Sequence, residues 1–375
     1  MIYLDHNATN LVDPRVRAAY ERALDEAWAN PSSPHAPGRH ARKLLEAARE
    51  QVAELAGVAP GQVTFTASGS EALNQALRTL LLPGARAVAS AVEHSAVLRA
   101  LEALEAEGEV QVSLAPVDGR GRVDLAALPD LLTPPPAVLC VQAAQNEVGS
   151  LQPVVEVGAL AAAREVPLLL DGSQAVGRVP WRWGELPWDY LVISGHKLRA
   201  PRGAAALVHR GRAPEPRPLI VGGPQERGRR AGTEPVAPIV ALGEACRLAA
   251  AGELFDAAAL AAERDWFEGA LLAAIPDGVV LGQDVPRLPN TTLFAVPGAR
   301  SEALLAQLDL AGISASAGSA CGSGALERSY VLDAMGVSEA LAQGRVRFSL
   351  GPETLRAELA RAVEVLAAAV ERCRG

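Results

Sequence analysis

The run Tyr190-Leu191-Val192-Ile193-Ser194 reads as a buried strand that ends abruptly in Gly195-His196-Lys197. A lysine at the end of a buried strand sits in a cavity mouth more easily than on open surface, and a partly desolvated amine is a nucleophile toward carbonyls. Taken alone, Lys197 has a plainer reading as a solvated lysine in a surface turn. Leu168-Leu169-Leu170-Asp171 ends in an aspartate that is costly to bury without a cationic partner. Its plainer reading is the N-cap of a helix. Gln174, three residues on, could reach a ring hydroxyl. His94, after Ala91-Val92-Glu93, could stack on a flat ring or shuttle protons, though a lone histidine there is more often structural. Asn146, within Gln145-Asn146-Glu147-Val148-Gly149, could donate to a ligand oxygen or merely form a turn.

Three further stretches add anion and sulfur chemistry. Thr66-Ala67-Ser68-Gly69-Ser70-Glu71 closes one strand and opens a helix, so free backbone amides, the helix dipole and a hydroxyl could cradle a phosphate at Gly69 and Ser70. Ser68 and Glu71 also fit an ordinary capping box. Arg345-Val346-Arg347-Phe348-Ser349 reads as a strand with alternating arginines, one of which could bind a carboxylate bidentately or salt-bridge a local acid. Cys321 lies in the small-residue loop Gly318-Ser319-Ala320-Cys321-Gly322-Ser323-Gly324, which suits a thiol that must move between two places. Among known cofactors, PLP would use Lys197, Asp171 and Gln174 together, because an ionised Asp171 keeps a pyridinium nitrogen protonated.

The elements that must position these groups follow from hydrophobic patterning. From residue 60 short apolar strands alternate with helical segments, which predicts a largely parallel sheet covered on both faces. Predicted strands run over 63–66, 87–91, 110–115, 137–141, 167–171, 190–194 and 204–209. Ligands of such sheets bind at the carboxyl ends of strands, where the candidate residues gather. Helical patterns cover 14–28 and 38–56, and a long Ala/Leu region spans 236–275. Residues 276–375 mix short strands with helices at 301–311 and 352–373. The expected α/β organisation is an N-terminal segment (1–14) joining a small domain, a large cofactor-binding domain (15–250), and a small α+β domain (251–375) carrying the cysteine loop.

Composition narrows the function classes. The net charge of -8 speaks against a broad nucleic-acid-binding face, although Arg227, Arg229 and Arg230 could form a local basic patch. No apolar run is long enough to span a bilayer, and the start of the chain lacks a signal-peptide layout, so a cytoplasmic protein is expected. The four cysteines are far apart with no CxxC pair, which suggests no metal site. Cys140 and Cys246 read as core residues.

In order and spacing these motifs resemble the cysteine desulfurases, a branch of the class V, fold-type I PLP enzymes. The resemblance runs from Tyr3-Leu4-Asp5-His6-Asn7-Ala8-Thr9 to Arg347-Phe348-Ser349-Leu350-Gly351, and is most specific at Ser194-Gly195-His196-Lys197, Glu226-Arg227-Gly228 with Gly232-Thr233, and Gly318-Ser319-Ala320-Cys321. It implies that Lys197 is the Schiff-base lysine, that His94 stacks on the PLP ring, and that Asp171 and Gln174 meet the pyridinium and the ring hydroxyl. It implies a phosphate cradle of Gly69, Ser70, Ser194 and His196, completed by Thr233 from the neighbouring subunit of a homodimer. Asn146 and Arg347 would hold the substrate carboxylate. Cys321 would take sulfur from L-cysteine as a persulfide, leaving L-alanine, and pass it to an acceptor protein in iron–sulfur cluster assembly or tRNA thiolation. Its loop resembles the longer, mobile type of the family. The chain departs from the family's pattern at Ala67-Ser68-Gly69-Ser70, where the glycine is displaced and serine replaces threonine, and at Gln145, Ala200 and Pro224. A selenocysteine lyase, another class V lyase or aminotransferase, and a catalytically idle scaffold are the competing readings.

Overall fold

The structure, a computed structural model, describes residues 1–211, 213–318 and 328–374. Cys321 and its flanking glycines and serines lie outside the described residues. In chain order the strands are β1 (Ile2–Tyr3), β2 (Val63–Thr66), β3 (Ala85–Ser90), β4 (Val110–Ala115), β5 (Val138–Gln142) and β6 (Leu168–Asp171). They continue with β7 (Tyr190–Ser194), β8 (Ala205–His209), β9 (Val279–Leu281), β10 (Thr291–Ala295), β11 (Ile313–Ser314) and β12 (Arg345–Ser349). Seven of them form the central sheet, in the order β2-β8-β7-β6-β5-β3-β4. All neighbours pair in parallel except β8, which runs against both β2 and β7.

The apolar strands are continuous rather than alternating because both faces are covered. Along β5, Leu139 and Val141 pack in one cluster with Val157 and Ala161, whereas Cys140 faces the opposite cluster, with Leu73, Leu77 and Leu101. Those leucines come from two helices that follow strands, α3 (Gly69–Leu80) and α4 (Ser95–Ala106) once α1 (Pro14–Glu26) and α2 (Ala36–Ala56) are counted. Cys140 and Cys246 are both fully buried, as expected of core residues.

The predicted strands fall within about two residues of the observed ones. The region 236–275 is two helices, Val236–Ala250 and Ala257–Ala274, rather than one. Gly252 breaks it with a left-handed φ of 71°, and Asp256 caps the second helix by accepting from the Ala259 amide at 2.9 Å.

A smaller sheet, in the order β12-β10-β9, is antiparallel throughout. The N-terminal segment pairs β1 with β11 in parallel, and Asp5 bridges to Ser349 at the end of β12. The same segment also touches the carboxyl edge of the central sheet, since the Asn10 and Asp13 amides donate to the carbonyls of His196 and Arg199 at 3.0 Å each.

Candidate active site

Parallel strands aim their carboxyl ends at one edge, and the loops after β2, β5, β6 and β7 meet there. They enclose a cavity of about 340 Å³ whose wall includes Gly69, Ser70, His94, Asn146, Asp171, Gln174, Ser194, His196, Lys197 and Arg347. Ten of the twelve candidate residues are thus brought together from six separate parts of the chain. Thr233 is not among them. It is exposed and lines a different cavity, with Leu24, Trp28 and Glu234.

Lys197 follows β7 in a single helical turn, Gly195–Lys197. Its main chain is pinned from below: the Asn10 side-chain amide donates to the Lys197 carbonyl at 2.8 Å. Withdrawal from water lowers the amine's pKa to about 8, opposed by the Asp171 carboxylate and reinforced by the cations of Arg178 and Arg347. Arg199, two residues on, adopts a left-handed φ of 57°, a conformation uncommon outside glycine, and its guanidinium is anchored to Asp13 at 3.5 Å.

Asp171 is the last residue of β6 and is 7% exposed. No helix follows it, so the cap reading fails. Its Oδ1 accepts from the Ser173 amide at 2.9 Å, and it makes no ion pair among the described residues. A buried carboxylate open to a cavity without a counterion is suited to a cationic ligand.

His94 is not at a strand end. β3 stops at Ser90, and His94 caps α4, its Nδ1 accepting from the Ala96 amide at 3.1 Å. That bond places the proton of the neutral ring on Nε2. Burial and the Lys197 cation lower the imidazole's pKa, partly offset by Asp171, so His94 is neutral near pH 7. His196 is pushed down to about 4, by burial first and then by Lys197, Arg202 and Arg178, and its Nδ1 lies 3.2 Å from the Thr9 hydroxyl.

The N-terminus of α3 supplies the anion-binding corner. Ser68 caps it by accepting from the Glu71 amide at 3.2 Å, while Glu71 reaches back to the Ala67 amide at 2.9 Å, one residue before the position a capping box would use. The first helical amides, those of Gly69 and Ser70, precede the intrahelical ladder. A Cβ placed on Gly69 would lie 3.5 Å from the Ser173 hydroxyl and 3.6 Å from that of Ser194. Two hydroxyls therefore converge on this helix end, and the displaced glycine of this loop leaves the corner open.

On the opposite wall Arg347 meets a local acid, as one of its two sequence readings allows. Its Nη2 pairs with Asp5 at 2.7 Å and its Nη1 donates to the Asn146 carbonyl at 3.0 Å, while its buried Nε has no protein partner. The buried Asn146 Oδ1 is likewise without a partner. Both unsatisfied groups belong to residues lining the cavity, which is how a site for a polar ligand looks before the ligand arrives. Gln174 also lines the cavity, where its amide donates to the Asn7 carbonyl at 3.0 Å and its Oε1 accepts from Arg178.

Sequence reasoning missed Asn7, Asn10, Ser173, Arg178 and Tyr330. Asn7 and Tyr330 line the cavity, and the Tyr330 hydroxyl donates to the Glu93 carbonyl at 2.7 Å. The run Asp5-His6-Asn7-Ala8-Thr9 was the available signal for Asn7. Of the three arginines that could form a local basic patch, Arg229 is buried and Arg230 is tied to Glu71 at 2.9 Å.

The aminotransferase class-V family model matches residues 2–361. A cysteine desulfurase of Trichormus azollae is 43% identical over the whole chain and 94% of its own length. The cysteine desulfurase IscS of Dictyoglomus turgidum is 36% identical over the whole chain and 95% of its own length. Among solved structures, a NifS-like protein superposes with a TM-score of 0.90 at 31% identity, covering 99% of both chains. SspA in complex with cysteine gives 0.83 at 28% identity, over 95% of this chain and all of that one. The chain belongs to the aminotransferase class-V family, in its cysteine desulfurase branch.

Proposed function

We propose that the protein is a PLP-dependent cysteine desulfurase, converting L-cysteine to L-alanine with sulfur passing to Cys321 and then to an acceptor protein. The observation that carries this reading is the shared cavity: a lysine amine of pKa about 8 and an unpaired, buried Asp171 on one wall, with the unsatisfied Arg347 and Asn146 on another. These residues fit PLP. Asp171 would hold the pyridinium nitrogen, neutral His94 would stack on the ring, and the α3 N-terminus with Ser194 and His196 would take the phosphate. When bound, PLP supplies an electron sink that stabilises negative charge at the substrate α-carbon.

The chain's own groups do the rest. Arg347, fixed by Asp5, offers its remaining N–H to the substrate carboxylate, and the Asn146 side chain completes that subsite. Lys197, half-buried, is neutral in a large fraction of molecules near pH 8 and can take the α-proton at Nζ. Cys321, read from its sequence setting, is the nucleophile toward the substrate sulfur. The competing reading of an aminotransferase would need no such thiol. Thr233, exposed and away from its own chain's cavity, is assigned to the cavity of a second copy.

The test is cofactor anchoring. Wild-type protein reconstituted with PLP is expected to be yellow and to retain the colour through gel filtration. Lys197→Ala is expected to lose the lysine-linked absorption and to turn over L-cysteine at least ~100-fold more slowly. A wild-type chain that stays colourless with excess PLP contradicts the assignment.

A further inference from the structure

Beneath Lys197 lies a guanidinium that the reaction described above does not use. Arg178 is 1% exposed and is among the largest fully buried side chains of the protein. Its Nη1 donates to both oxygens of Gln174, the carbonyl at 3.1 Å, and its Nη2 donates to the His6 carbonyl at 2.8 Å and more weakly to that of Lys197 at 3.4 Å. Its Nε has no partner, and the Phe255 ring lies 5.6 Å from the guanidinium carbon. Among the described residues no carboxylate pairs with it.

Burying a cation without an anion is expensive, and proteins ordinarily match buried charge with opposite charge. Arg178 instead meets carbonyl dipoles from three separated segments: the N-terminal strand end, the turn after β6, and the lysine turn. Gly177 allows this approach, since its φ is 78° and a Cβ there would lie 2.5 Å from the Leu198 side chain.

We propose that Arg178 is a positioning residue for Lys197: an uncompensated cation built under the lysine turn that fixes its main chain and disfavours a second positive charge on the cavity floor. The inference rests on Lys197 being the reactive amine, as argued above. The charged and titratable groups around that amine are Asp171, which favours its protonation, and Arg178 and Arg347, which oppose it. His94 and His196 also face it, and both are held neutral near pH 7. On its other side Arg178 faces His6, itself lowered mainly by burial, with Glu353 and Arg199 beyond. Of the two opposing cations, Arg347 is paired with Asp5, which weakens its field, whereas Arg178 is unpaired.

The proposal is tested on the full chain without cofactor, by the pH dependence of Lys197 acetylation with acetic anhydride, read by peptide mass spectrometry. Arg178→Lys keeps the charge and is expected to leave the midpoint of Lys197 near the wild-type value. Arg178→Gln removes the charge and is expected to raise the midpoint by about one unit, slowing acetylation about tenfold at pH 7. Arg178→Met, an apolar filling of the same space, makes the same comparison if the glutamine variant does not fold, since apolar replacement of buried charge is often tolerated. A midpoint unchanged in the neutral variants, or moved equally in Arg178→Lys, overturns the proposal. Because the readout is an amine titration, it stands or falls separately from desulfurase activity.

Discussion

Glu147 shows how one residue can tie the cavity wall to the segments around it. It is fully buried, its Oε2 accepts from the Ser329 hydroxyl at 2.8 Å, and its Oε1 has no partner. A Cβ on Gly318 would lie 2.5 Å from the same Oε2, so this carboxyl touches both flanks of the stretch that carries Cys321. Burial raises its pKa, with Ser329, Arg347 and Arg345 pulling the other way. A carboxyl whose folded pKa is raised contributes its full stability below the unfolded value, and that contribution is lost as pH rises through the folded value. Glu147→Gln keeps an acceptor for Ser329 and cannot ionise. Its melting temperature is expected to gain on wild type by a few degrees as pH rises from 5 to 8. Thermal unfolding at several pH values checks this, and a difference that is flat or shrinks with pH contradicts it. At this scale Asp171 was legible because it ends an apolar strand, and Lys197 and Asn146 because each follows one within a few residues. Arg178 and Asn10 were not, because their partners are backbone carbonyls more than a hundred residues away or across a turn, and no local pattern records such a bond.

Elements hold these residues through a few buried ties. Glu226 and Arg227 adopt left-handed φ values of 49° and 60°, followed by Gly228 at 78°. Such a turn persists only where its surroundings fix it. Here the Glu226 carboxylate accepts from both terminal nitrogens of Arg49 on α2 and from the Phe65 amide on β2, all at 2.8 Å. Both side chains are at most 3% exposed. Glu226→Ala would strip Arg49 of its buried anion, leaving it the partly exposed Glu46 carboxylate at 3.1 Å, and is expected to cost about 3 kcal/mol. Denaturant unfolding measures it, and a loss below about 1 kcal/mol would show that the turn is held by something else. The strands around this tie were legible because apolar runs bounded by turn residues define them. The turn was quoted in the sequence as Glu226-Arg227-Gly228, yet only the fold shows why a glutamate belongs there, since α2 and β2 must first meet.

At the scale of the molecule, one hydrophobic cluster runs from Leu4 through the central sheet to Phe267 and Phe348, so the N-terminal segment, sheet and C-terminal elements share a core. One candidate residue stands outside this closure. Thr233 is exposed beside Trp28, which is 73% exposed, and beside Glu234, whose buried carboxylate oxygens have no partner. If Thr233 serves a second copy, mixed dimers of Lys197→Ala and Thr233→Asp subunits contain one intact composite site. They are expected to recover up to about half of wild-type activity per dimer while each parent dimer is nearly inactive. Hybrids no more active than either parent contradict the shared site. The smaller antiparallel sheet was readable from the change of strand pattern near residue 276. The expectation that a second copy completes the cavity came only from the family resemblance. The central claim is that Lys197 prepares the substrate and Cys321 takes its sulfur. Its most direct test is L-cysteine turnover with a reductant present, with alanine and sulfide both quantified in wild type and Cys321→Ala. The account predicts equal amounts of alanine and sulfide from wild type and almost none of either from the variant. Sulfide released by Cys321→Ala at the wild-type rate would contradict it.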